Sequence, residues 1–156
     1  RVKESLFAMI QNNILDSIVL DLFSGSGNLG LEALSEGAKI AYLVDSNPKA
    51  VETIKRNIKE IQIENAKVYG MNYKKALKIF QEEKIQFDLI FLDPPYKTNY
   101  IEESIQKIEE YQLLKENGII ICESDQINKM IYPKNYQNVK EKKYGDKYIV
   151  ILKKIC

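Results

Sequence analysis

Asp93-Pro94-Pro95-Tyr96 puts an acid, two carbonyls on a stiff turn and an aromatic ring side by side. The tetrapeptide follows Phe87–Leu92, a short and mostly apolar run of the kind that forms a buried parallel strand. Neither proline has an N–H for a sheet ladder, so the strand must stop there. Open α/β sheets bind their ligands at the carboxyl ends of strands. At such an end these four residues would offer hydrogen-bond acceptors and a ring to a planar polar ligand. Asp-Pro by itself is also an ordinary way to begin a turn.

A second constellation lies nearer the start. Gly25, Gly27 and Gly30 spell G-x-G-x-x-G between an apolar run and a helical pattern, and Asp45 ends the next apolar run. The glycines allow a tight turn and a close approach of backbone to ligand. Asp45 would accept hydrogen bonds from ribose hydroxyls. All of this suits a dinucleotide as well as an adenosyl compound. Asp21, four positions before Gly25, discriminates between them. A pyrophosphate needs N–H donors and positive potential, and a carboxylate aimed at it would oppose binding. S-adenosylmethionine carries an ammonium and a sulfonium and no phosphate, so it would welcome Asp21. The alternative for Asp21 is a cap on the loop amides. Further along, Met71 and Asn72 suit an adenine face and its exocyclic amine; equally, Met71 fills core and Asn72 caps the following helix.

The elements that must carry these residues alternate. Helices are expected over 1–11, 29–36, 48–61, 73–83 and 101–111, with a short one over 126–130. Strands are expected over 18–23, 39–44, 66–69, 87–92 and 118–123. Val2, Leu6, Met9 and Ile10 should face the core from the first helix, and Val51, Ile54, Ile58 and Ile61 from the third. The tail changes character: 137–143 and 147–153 read as two strands joined through Tyr144-Gly145-Asp146. The expected architecture is α/β, a Rossmann-like, doubly wound, mostly parallel sheet with a C-terminal antiparallel hairpin, built from 1–156 as a single domain. Because the chain opens on Arg1 inside an expected helix, its N-terminal end is expected to be truncated.

Composition narrows the chemistry. The 156 residues are 45% hydrophobic and 29% charged, typical of a globular chain, and they carry a net charge of +1. Whole-chain charge therefore neither demands nor excludes a nucleic-acid partner. The sequence contains no histidine, which removes Ser-His, Cys-His and His-metal chemistries. No metal site is expected. Cys122 and Cys156 have no metal spacing and no disulfide framework, which suits a reduced, cytoplasmic setting, and no apolar run suggests a membrane.

Taken together, these residues resemble the class I S-adenosylmethionine-dependent methyltransferases, whose amino-directed members carry Asp/Asn-Pro-Pro-Tyr/Phe. The chain is more closely similar to the RsmD-like family of 16S ribosomal RNA guanine-N2 methyltransferases. The closer likeness rests on Arg1-Val2-Lys3-Glu4-Ser5-Leu6-Phe7, on the run from Leu20 to Ala33 and on the run from Phe87 to Tyr96. It differs where family members usually begin with a basic stretch and where Asn72 replaces a common acid.

The resemblance implies S-adenosylmethionine as cofactor, bound by Asp21, Phe23, Ser24, Gly25, Ser26, Gly27, Asp45, Ser46, Met71 and Asn72. It implies Asp93, Pro94, Pro95 and Tyr96 as the catalytic corner, with Tyr96 stacking on the base. Ribosomal RNA or a small-subunit particle would be the partner, and the chain would act as a monomer. Arg1, Lys3 and Lys97 are candidate substrate contacts, Lys97, Thr98, Asn99 and Tyr100, directly after the motif, are candidates for the pocket rim, and Lys140, Lys142, Lys143 and Lys147 are candidate phosphate contacts; surface lysines are just as often merely solvated. Two other readings stay open: an adenine-N6 nucleic-acid methyltransferase, and a non-catalytic RNA-binding module on the same fold. A protein-glutamine methyltransferase would more usually carry Asn at position 93. A dehydrogenase would have to accommodate Asp21.

Overall fold

A computed structural model of the chain describes residues 2–125 and 130–155. Among them, seven strands make one sheet: β1 (Ile18–Asp21), β2 (Ile40–Asp45), β3 (Ala66–Gly70), β4 (Phe87–Leu92), β5 (Leu114–Ser124), β6 (Tyr136–Tyr144) and β7 (Lys147–Lys154). Their spatial order is β3-β2-β1-β4-β5-β7-β6. The first five run parallel, while β7 is antiparallel to both β5 and β6. The strand order reverses between β1 and β4, which opens a crevice at their carboxyl ends. This is the doubly wound sheet with an antiparallel end that the sequence suggests.

Five α-helices, α1 (Val2–Ile10), α2 (Asn28–Ser35), α3 (Pro48–Ile61), α4 (Tyr73–Glu82) and α5 (Tyr100–Glu110), cover the two faces. Side chains alternate across a strand, so each run feeds two cores. Leu20, Tyr42, Ile90, Leu92, Ile120 and Val150 pack with Leu77, Phe80, Ile105 and Ile108 of α4 and α5. Val19, Leu43, Leu89, Phe91, Ile121 and Ile149 pack with Leu6, Phe7, Ile10, Ala33 and Ile54 of α1, α2 and α3. No helix among the described residues is long and apolar enough to cross a membrane.

Helix ends follow local chemistry. Asn47 caps α3 by accepting from the Lys49 N–H at 2.9 Å, ahead of Pro48, and Asn72 caps α4 by accepting from the Lys74 N–H at 2.8 Å. Several expectations shift. β1 stops at Asp21, because Leu22 and Phe23 turn away into the loop. β5 begins four residues early, since Leu114 already pairs with Phe87. Ile61 is 63% exposed, as it ends α3 beyond the reach of the sheet, and Phe7 takes a core place on α1, its ring 5.8 Å from Phe91. Of the helix expected over 126–130, residues 126–129 lie outside the described residues and Met130 is not helical. Arg1 and Cys156 also lie outside.

Candidate active site

β1, β2 and β4 end side by side, and the loops leaving them enclose a cavity of about 330 Å³. That volume lies within the range of small-molecule sites, ~300–1,000 Å³. Nine of the residues singled out in the sequence line it: Phe23, Gly25, Asp45, Ser46, Met71, Asn72, Asp93, Pro94 and Pro95. The glycine loop and the Asp-Pro-Pro corner, 68 positions apart from Gly25 to Asp93, therefore face one space. Leu22, Tyr73 and Tyr100 complete the lining; Leu22 and Tyr73 carry no motif that would mark them as site residues, whereas Tyr100 closely follows the Asp-Pro-Pro-Tyr motif, where a pocket rim is expected. The rings of Tyr73 and Tyr100 lie 5.0 Å apart, and Phe23 stacks on Tyr100 at 6.0 Å with planes 6° apart. Tyr73 donates its hydroxyl to Glu103 of α5, which holds this aromatic wall upright.

Asp45 organises the loop. One carboxylate oxygen accepts from the Gly25 N–H at 2.8 Å and the other from the Asn47 N–H at 2.9 Å. Gly25 has φ +57, and nothing lies within 4 Å of where its Cβ would stand, so the backbone is open to a ligand. Gly30 serves packing instead. A Cβ there would meet Leu43 Cδ2 at 2.1 Å, so only glycine lets α2 sit this close to β2.

Asp21 is 1% exposed and does not line the cavity. Its Oδ2 accepts from the Gly30 N–H at 3.0 Å, in the first turn of α2, where Gly27 offers no side-chain cap. Capping is thus one role of this residue, as the alternative in the sequence held. Its Oδ1 has no partner among the described residues. Burial pushes its carboxyl up from an ordinary 3.8 to about 6, partly offset by the Gly30 N–H.

Ser24, Ser26 and Gly27 hold the loop from outside the cavity lining. Ser24 donates its hydroxyl to the Asp21 carbonyl at 2.9 Å, and the Ser26 carbonyl accepts from Asn57. Gly27 donates its N–H to the Ser24 carbonyl at 2.8 Å.

Asp93 is half-buried. Burial raises its carboxyl to about 7; repulsion by Glu123 and a hydrogen bond with it add to the rise, and Lys147 pulls it back. Glu123 went unnoticed in the sequence because a lone acid at a strand end has no signature.

Tyr96 differs from expectation. It is 46% exposed and outside the cavity lining, with Lys147 Nζ 5.5 Å from its ring centre, because the second proline turns the chain outward before it. Lys97 is exposed and lines a small separate hollow with Glu123 and Asp125 rather than the cavity. Lys3 is paired with Glu32 at 3.4 Å in a separate hollow between α1 and α2. Arg1 is outside the described residues.

Comparison with known proteins agrees with this geometry. Residues 1–153 match the family described as Conserved hypothetical protein 95. The Haemophilus influenzae protein named Ribosomal RNA small subunit methyltransferase D is 36% identical over 147 residues, spanning 93% of this chain and 76% of that one. The Escherichia coli K12 protein of the same name is 32% identical over 146 residues, spanning 93% and 72%. A solved Streptococcus pyogenes structure, described as a conserved hypothetical protein, matches with a TM-score of 0.84 at 34% identity over 96% of this chain and 93% of that one. Sheet order, cavity and sequence thus agree: the chain belongs to the Conserved hypothetical protein 95 family, that of the ribosomal RNA small subunit methyltransferase D proteins.

Proposed function

We propose that this chain transfers a methyl group from S-adenosylmethionine to the exocyclic N2 amine of a guanine in small-subunit ribosomal RNA. The observation that carries this reading is the opening of Asp93, Pro94 and Pro95 into the cavity of the glycine loop and Asp45. The names of the relatives point the same way.

The cavity fits such a cofactor. It is open above Gly25, it offers the Asp45 carboxylate to hydroxyls, and beneath it Asp21 keeps an orphaned buried oxygen that suits a cationic ligand. Phe23, Asp45, Ser46, Met71 and Asn72 would hold the cofactor. When bound, it supplies an electrophilic methyl on a sulfonium.

What the protein adds is alignment and electrostatics. A guanine N2 lone pair is delocalised into the ring, so the amine is a poor nucleophile. The Asp93 carboxylate and the Pro94 carbonyl accept its two N–H bonds and draw the nitrogen towards a tetrahedral shape. Pro94 and Pro95 fix that corner, since their φ angles cannot relax. Tyr100, with Phe23 and Tyr73 behind it, supplies the ring surface inside the cavity. The base reaches this corner unpaired or flipped.

The test is transfer of labelled methyl to RNA from cells lacking the activity, both naked and in small-subunit particles, followed by nucleoside digestion. Label in N2-methylguanosine is expected. Label in N6-methyladenosine would favour the adenine reading, and cofactor binding with no label in any RNA would favour the non-catalytic one.

A further inference from the structure

Across the top of the sheet, one charged residue follows another in strand order. Asp45 ends β2, Asp21 ends β1, Asp93 follows β4, Glu123 stands near the end of β5 and Lys147 begins β7. By strand alternation Asp45, Asp21, Glu123 and Lys147 share one face, and Asp93 continues directly from β4 beside them. Leu43, Val19, Leu89, Phe91, Ile121 and Ile149, each two or four positions along the same strands, all belong to the core under α1, α2 and α3. Pairing of Leu92 with Cys122 and of Glu123 with Ile149 brings Asp93, Glu123 and Lys147 together at adjacent strand ends. Glu123 is only 8% exposed, and Lys147 Nζ donates to its Oε2 at 2.9 Å. A buried carboxylate paired with a lysine makes negative charge on a half-buried carboxyl beside it costly.

We propose that Glu123 and Lys147 are positioning residues for Asp93: Glu123, at the neighbouring strand end, repels its charge, and Lys147, reaching in from the C-terminal hairpin, offsets that repulsion and holds Tyr96 in place. The proposal deepens the reading of Asp93 as acceptor for the target amine and rests on it. As the new N–C bond forms and the S–C bond breaks, its electron pair passes to sulfur, and the amine must lose one proton. Asp93 takes that proton. The charges that act on Asp93 are those of Glu123 from β5, Lys147 from β7 and Asp21 from β1. Glu123 lines a small hollow behind the corner with Lys97 and Asp125. Lys147 is held above the ordinary ammonium range by Tyr96 and by Glu123. The hairpin thereby gains a catalytic purpose that edge-strand pairing alone would not give it.

The two partners push Asp93 in opposite directions, and a merely structural role would not. The experiment is carbon NMR of carboxyl-labelled protein, with the pH profile of methyl transfer measured alongside. Wild type should show the Asp93 carboxyl titrating at about 7. Glu123→Gln removes repulsion and should lower the Asp93 midpoint by about one unit. Lys147→Met removes attraction and should raise it by a similar amount, while Lys147→Arg should leave it in place and show that the hairpin tolerates exchange. The acid limb of the rate profile should move with each midpoint. Unmoved midpoints, or shifts in the same direction, would overturn the pairing. Moved midpoints with a fixed rate limb would overturn its part in transfer. Expected NMR shifts in a wild-type protein that methylates no RNA would support the pair and count against the proposed function instead.

Discussion

Replacing Asp21 by Asn should make the cofactor-free protein more stable at pH 8 and slightly less stable near pH 4. Burial raises the folded-state value from 3.8 to about 6, so the folded chain holds this proton more tightly than the unfolded chain. Below 3.8 both states are protonated and no penalty exists. As pH rises towards 6 the unfolded chain ionises first, stability falls, and above 6 the full penalty is present. A rise of about two units corresponds to about 3 kcal/mol. Asn keeps an acceptor for the Gly30 N–H but leaves an amide N–H without a partner, which costs about 1 kcal/mol. The net gain of about 2 kcal/mol should raise Tm at pH 8 by roughly 4–8 °C for a chain of this size. Differential scanning calorimetry across pH 4 to 8 reads it directly. A variant that is no more stable at pH 8, or equally stabilised at both pH values, would refute the idea that a buried charge is held there at a cost. If that charge faces the cofactor's cation, the same variant should bind S-adenosylmethionine at least about tenfold more weakly by titration calorimetry.

Other changes probe the remaining walls of the site. Asp45→Ala removes the acceptor for the Gly25 and Asn47 N–H groups and should weaken cofactor binding about tenfold to a hundredfold, read by the same calorimetry. Tyr100→Ala removes the ring stacked on Phe23 and should weaken that binding about threefold to tenfold, with the fold intact by circular dichroism. Gly30→Ala forces a methyl against Leu43 and should cost about 1–3 kcal/mol in urea unfolding.

Much of the molecule was legible because its signals are local. Apolar runs bounded by glycine, proline or asparagine marked β1 to β4, and Asn47-Pro48 and Asn72 marked helix starts by their capping chemistry. The cavity could be anticipated because loops after parallel strands converge at a strand-order reversal. What escaped depends on neighbours distant in sequence. The insertion of β7 between β5 and β6 is set by pairing such as Ile121 with Ile151, and no turn residue announces it. Glu123 matters through Asp93 and Lys147 on other strands. Tyr96 looked like the stacking ring because it sits in the motif, yet the turn sends it to Lys147 and gives Tyr100 the inner face.

Everything about catalysis depends on Asp93 meeting the amine that is methylated. Single-turnover methyl transfer by Asp93→Ala, with cofactor affinity measured on the same preparation, tests this most directly. The rate should fall by about a thousandfold or more while cofactor affinity stays within about threefold of wild type. A variant that methylates guanine at a near-normal rate would contradict the account.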